Sequence, residues 1–162
     1  QKKIGKDICI ARTMPNTAIR IRQSMTCIAT NKPDSKQFEE VVDIFNMLGK
    51  TLVIDEELML SATALGSCGI AYFLRAIRAA SQGGTQIGFH AGEAELIAAQ
   101  TAKGAAELLL QLHSHPEDEI DKVTTPRGIT IEGLNEMEHN GFSSAMIKGI
   151  VRSYDKAANK DE

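Results

Sequence analysis

Thr124-Thr125-Pro126-Arg127-Gly128-Ile129-Thr130-Ile131-Glu132-Gly133-Leu134 joins a short helical run that ends near Val123 to an amphipathic one that begins near Thr130. Pro126 cannot continue the first helix and biases Thr125 toward an extended backbone. Gly128 permits close approach of a ligand or a positive φ, because it has no Cβ to clash. The N–H groups that follow it open a new helix, with two threonine hydroxyls and Arg127 beside them. Two readings fit this arrangement. One is an ordinary Thr-capped helix entry. The other is an anion site suited to a carboxylate, since a helix N-terminus presents free donors and a partial positive charge.

Outward from this junction the chain from Asp55 onward reads as helix. Asp55, Glu56 and Glu57 favour a helix start, and an apolar pattern then runs from Leu58 to about Ala80, ending at Gly83-Gly84. In its middle, Gly66-Ser67-Cys68-Gly69 places two poor helix formers in one turn, at about 1 kcal/mol each against Ala. Something is therefore expected to approach that surface closely: a crossing helix of a partner subunit, a cofactor, or both. A second, Ala-rich helix covers about Ala91 to Leu112, where Ala94, Ala98, Ala102, Ala105 and Ala106 permit short interhelix distances. Pro116 suits the first turn of a short acidic helix reaching Val123. Ile131, Leu134 and Met137 form one stripe ended by Asn140-Gly141, and a last helix carries Ala145, Met146, Ile150 and Val151 before a charged tail.

The first third is mixed. Ile8–Ala11, Ser24–Thr30 and Thr51–Ile54 are β-leaning runs. Between the last two, Asp34 is the expected N-cap of a helix that aligns Phe38, Val41, Val42, Phe45 and Leu48 on one face and stops at Gly49. This order resembles the end of a doubly wound sheet whose beginning is not in the sequence. The fold expected is mostly α: the last β-β-α-β elements of an incomplete Rossmann-type domain over residues 1–55, then an all-helical dimerisation and substrate-binding domain over residues 56–162.

The 162 residues suffice for one ordinary domain, or a small one plus part of another. A net charge of −3 and a pI near 5.8 argue against nucleic acid or an anionic membrane as partner. No apolar run approaches the ~20 residues that span a bilayer. Cys9, Cys27 and Cys68 are dispersed, odd in number and without a CxxC pair, which fits a reduced, cytoplasmic protein. The helices are Ala-rich and poor in large side chains, so a second copy is expected to supply the missing apolar partners. His113-Ser114-His115 near Glu117 has metal-ligand residue types, but the i, i+2 spacing beside a proline does not suit a helical site. No metal is expected; His90 and His139 read as helix-end caps.

Five landmarks occur in a familiar order: Met14-Pro15-Asn16-Thr17; Asp55-Glu56-Glu57-Leu58-Met59; Thr63-Ala64-Leu65; Ala98-Ala99-Gln100-Thr101 with Gly104-Ala105-Ala106; and Thr124–Leu134 followed by Asn140-Gly141-Phe142. Together they resemble pyrroline-5-carboxylate reductase, the enzyme of the last step of proline biosynthesis, over most of the chain from Arg12 to about Tyr154. The resemblance implies hydride transfer from NADPH or NADH to the C=N bond of 1-pyrroline-5-carboxylate, giving L-proline. It also implies a homodimer of intertwined helices, and leaves open whether dimers assemble further. By similarity Glu56, Thr125, Gly128, Ile129 and Thr130 bind substrate, and Thr130 is the leading catalytic residue. Its hydroxyl reaches the ring nitrogen while the N–H groups of Gly128, Ile129 and Thr130 take the carboxylate. Met14, Pro15 and Asn16 follow a strand where a nicotinamide is expected, in keeping with ligand binding at strand ends, and Lys122 aligns with a cofactor contact across the dimer.

The chain also departs from the family. Gly66-Ser67-Cys68-Gly69-Ile70 stands where Ser-Gly-Ser-Gly-Pro is usual, Arg127 where Gly is usual, and Lys122 where Asn is frequent. There is no G-x-G-x-x-G loop after a strand, so the sequence resembles the C-terminal portion of a longer enzyme and is expected to bind NADPH poorly or not at all by itself. Two alternatives remain. A β-hydroxyacid-type dehydrogenase would place a catalytic Lys in the run Leu58–Ala80, which has none. A non-enzymatic dimerisation module would show no turnover.

Overall fold

The computed structural model describes residues 8–159. The described residues divide into two compact units, residues 8–71 with 148–159 and residues 72–147. The first unit holds a three-stranded sheet of order β1 (Ala11–Met14), β2 (Ser24–Thr30), β3 (Gly49–Val53), with α1 (Lys36–Asn46) between the last two. β1 runs antiparallel to β2, with Met14 opposite Cys27, and β3 runs parallel to it, with Ser24 opposite Gly49. The β-β-α-β order matches the expectation from sequence.

The central strand carries the core. Thr26, Ile28 and Ala29 are buried, and Phe38 of α1, Met59 and Ala64 complete the cluster. Burial pushes the Cys27 thiol pKa up, by desolvation of its charged form. The α1 N-cap is Ser35, one residue beyond the expected Asp34, and its hydroxyl accepts from the Phe38 N–H at 3.3 Å. The helix ends at Asn46 rather than Gly49, because Met47 and Leu48 already turn back to the carbonyls of Asp43 and Phe45.

β1 starts three residues later than its apolar pattern suggests. Over Ile8–Ile10 side chains replace the ladder: Thr30 Oγ1 donates to the Ile10 carbonyl at 2.9 Å, the Ile10 N–H donates to Asn31 Oδ1 at 2.8 Å, and Asn31 Nδ2 donates to the Ile8 carbonyl at 3.1 Å.

Glu56–Gln86 is one uninterrupted helical run whose hydrogen-bond period changes along its length. It opens as a 3₁₀ turn (Glu56–Leu58), becomes α2 (Met59–Ala62), widens to a π turn (Thr63–Cys68) and continues as α3 (Gly69–Gln86). By length and composition this run is apolar enough to cross a membrane, a correction to the sequence reading, which finds no such stretch. The helix also continues through glycines that read as breaks in the sequence. Gly83 and Gly84 lie inside it, and a Cβ on Gly84 would stand 3.1 Å from that of Ala94. The glycine there answers a close helix approach, not a stop.

In the second unit α3 is followed by α4 (Ala91–Leu112), α5 (Pro116–Val123) and α6 (Ile129–His139); α7 (Phe142–Ala157) closes the helical series. Ser81 and Ala94 are buried, whereas Phe73, Leu74, Ile87, Leu96, Leu110 and Val123 are exposed. Apolar side chains of that size at the surface mark faces that want partners.

Candidate active site

The sequence-predicted residues fall in two sets, one in each unit. In the second unit they surround the α5–α6 junction. The Gly128 N–H donates to the Thr125 carbonyl at 2.8 Å, closing a turn with Pro126 and Arg127 at its corner. Gly128 is the α6 N-cap and provides no side-chain cap. The first amides of the helix, at Ile129 and Thr130, therefore receive no cap from it, and Ile129 is 90% exposed.

Two corrections follow. Gly128 has φ −78°; the left-handed residue is Arg127, at φ +59°. The sequence reading puts the backbone freedom one residue late, since only glycine usually adopts that conformation at little cost. Gly128 is instead required by contact: a Cβ there would lie 2.4 Å from Thr125 Oγ1 and 2.9 Å from the Thr125 carbonyl. Its N–H is also engaged by the turn, donating to the Thr125 carbonyl, so of the three amides expected to take a carboxylate it is already committed. Arg127→Gly is expected to raise stability by about 0.5–1 kcal/mol, the left-handed penalty less the added chain entropy. Chemical denaturation of both proteins measures it, and a less stable variant would show that the guanidinium contributes more than the conformation costs.

Lys122 is 61% exposed and donates to Glu119 Oε1 at 2.6 Å within α5. This bond, with the Ser114 hydroxyl nearby, holds the Glu119 carboxyl below its usual range. His115 is the α5 N-cap, its Nδ1 accepting from the Glu117 N–H at 3.2 Å, so the histidine pair reads as a helix end, as expected.

In the first unit Met14, Pro15 and Asn16 follow β1 and are half-buried. The Asn16 N–H donates to Ser24 Oγ at 3.1 Å, its Oδ1 accepts from the Ala18 N–H at 3.1 Å, and its Nδ2 donates to the Gly66 carbonyl at 3.2 Å. The last bond lands on the π turn. Insertions of this kind inside helices concentrate at functional sites, and a Cβ on Gly66 would meet nothing within 4 Å. No atom among the described residues explains the glycine. Glu56 is ion-paired with Arg12 of β1, and the two border a cleft with Ile10, Ala29, Thr30 and Asn31. Sequence reasoning has Arg12 only as a landmark in the chain; its alternation along β1 carries no signal of a partner 44 residues away.

Comparison with known proteins decides the family. The family model for pyrroline-5-carboxylate reductase dimerisation matches residues 56–160. The chain belongs to the pyrroline-5-carboxylate reductase family. Pyrroline-5-carboxylate reductase 1 of Dictyostelium discoideum is 61% identical over 96% of this chain and 30% of its own length. Pyrroline-5-carboxylate reductase 2 of the same organism is 54% identical over 92% of this chain and 54% of its own length. The crystal structure of Plasmodium falciparum pyrroline carboxylate reductase with NADP bound is 28% identical with a TM-score of 0.85, and the match covers 96% of this chain and 63% of that one. The chain thus spans about a third to two thirds of the reductases it matches.

Proposed function

We propose that the protein containing this chain reduces 1-pyrroline-5-carboxylate to L-proline with a nicotinamide cofactor, NADPH or NADH. The observation that carries the reading is the entry to α6. Directly after the Thr125–Gly128 turn, the first amides of α6, at Ile129 and Thr130, receive no side-chain cap from Gly128. They bind the substrate carboxylate, assisted by the helix dipole. The Thr130 hydroxyl orients the ring nitrogen and passes it a proton from water, and Thr125 holds the turn; Glu56 is a further substrate-binding residue by family resemblance.

Met14 and Pro15 offer a half-buried, weakly polar surface that suits a planar ring, with Lys122 reaching the cofactor from the second copy. When bound, the reduced nicotinamide supplies hydride from its C4. The exposed Phe73, Leu74, Leu96 and Leu110 support a homodimer through intertwined helices, and the match at 56–160 supports a boundary near residue 55 between the sheet-containing part and the helical domain. Dispersed free cysteines support a cytoplasmic compartment.

The test is substrate-dependent NADPH oxidation by the full-length protein. Thr130→Ala is expected to lower turnover on the order of 10–100-fold, about one hydrogen bond's worth. Wild-type turnover in that variant would remove Thr130 from the mechanism.

A further inference from the structure

Asn16, in the strand-end loop, has its backbone and side-chain polar atoms all engaged within its own unit. Its N–H goes to Ser24 Oγ, and its carbonyl accepts from the Ile19 N–H at 3.1 Å. Oδ1 caps the 3₁₀ turn Thr17–Ile21, and Nδ2 reaches the Gly66 carbonyl. Behind it the chain continues into the sheet: Ser24 Oγ bonds Thr26 Oγ1 at 3.1 Å, and both side chains are fully buried. The Ser24 N–H donates to the Leu48 carbonyl at 3.1 Å. A polar path thus runs from the buried middle of β2, through Asn16, to the widest turn of the helical run.

We infer that Asn16 is a positioning residue: its carboxamide is a strut that fixes the π turn Thr63–Cys68, and it serves the cofactor through that turn and not as a direct side-chain ligand. A π turn is a strained alternative to the α-helix on either side of it, so it needs an outside contact to persist. Within the first unit the Asn16 amide supplies one, at the carbonyl of a glycine that carries no side chain to pack. Removing the donor lets Gly66 relax toward helical geometry and changes the surface that Gly66 and Ser67 present. The cofactor consequence rests on the reductase reading above; the strut itself does not.

Asn16→Ser separates the two jobs of the side chain. Serine is a good N-cap and preserves the bond to the Ala18 N–H, but its hydroxyl is too short to reach Gly66. In the full-length protein without ligand, amide hydrogen exchange over residues 63–71 is expected to quicken at least about tenfold, while Met25–Ala29 in β2 stays protected. In the steady state the KM for NADPH is expected to rise about tenfold with kcat changed much less. Asn16→Asp, which keeps the cap acceptor and turns a carboxylate toward the Gly66 carbonyl, should show the same pattern if the serine variant is poorly expressed. A raised KM with wild-type exchange would make Asn16 a direct ligand and overturn the proposal. Quickened exchange with an unchanged KM would overturn its cofactor half. If the wild-type protein shows no pyrroline-5-carboxylate turnover, the reductase reading fails while the exchange measurement still decides the strut.

Discussion

Gly49→Ala is expected to cost more than about 4 kcal/mol, enough to unfold the sheet-containing unit of a protein with ordinary stability. Gly49 is the first residue of β3 and has φ +148°, a conformation that L side chains rarely adopt. Its backbone lies against that of β2, so a Cβ would fall 2.1 Å from the Ser24 carbonyl oxygen and 2.4 Å from the Ser24 nitrogen. Neither atom is the far end of a flexible side chain. Ser24 is 1% exposed, pairs with Gly49 at the start of the parallel ladder and anchors the path to Asn16. Relief requires β3 to leave β2, which also opens the Ile28–Phe38–Met59 core behind it. Urea denaturation followed by circular dichroism reads the loss. A variant within about 1 kcal/mol of wild type would mean that β3 enters the sheet by another route than the one seen here. Leu52 and Val53, half-exposed on the same strand, are poor comparators because their truncation removes little buried area.

Gly49 also shows what the sequence could and could not reveal. The glycine is legible as a boundary between α1 and β3, but not as the point where two strand backbones touch. Periodicity locates Ser24–Thr30, Ala91–Leu112 and Pro116–Val123 to the residue, because each is set by local pattern and caps. It misplaces β1, because the choice of ladder depends on Thr30 and Asn31, which are distant in sequence and bond its backbone. It reads Gly83 and Gly84 as a stop, because the compensating partner, Ala94, belongs to the next helix. The cost of Gly66 and Gly69 is visible in the sequence, but the form it takes, a π turn held by Asn16, is not. At the α5–α6 junction the turn is legible from Pro126 and its position; the glycine is read as serving either close approach or a positive φ, and the positive φ falls on Arg127. Composition favours glycine at such a site, and the chain keeps the conformation with a less suited side chain.

Gly128→Ala is the substitution expected to harm catalysis most while leaving the fold in place. Its φ of −78° suits alanine, so the backbone conformation is not the obstacle. The obstacle is Thr125, whose Oγ1 and carbonyl oxygen would lie 2.4 and 2.9 Å from the new methyl group. The threonine side chain can rotate away, but the carbonyl is tied by the 2.8 Å bond from the Gly128 N–H, so the turn must open. Opening it stretches that bond and shifts the first amides of α6, Ile129 and Thr130, by several tenths of an ångström or more. A misplacement approaching 1 Å in groups that position a substrate costs on the order of 100-fold, so under the proposed reductase function kcat/KM for pyrroline-5-carboxylate is expected to fall by up to that factor. Stability should drop by only about 1–2 kcal/mol, the ordinary cost of a strained surface turn. Thr125→Ala in the same background removes the closer of the two clashes and leaves the carbonyl, so it should recover part of the lost activity. Had the loop served only as a helix entry, Gly128→Ala would retain full kcat/KM and lose stability alone, and the carboxylate would have to be held elsewhere.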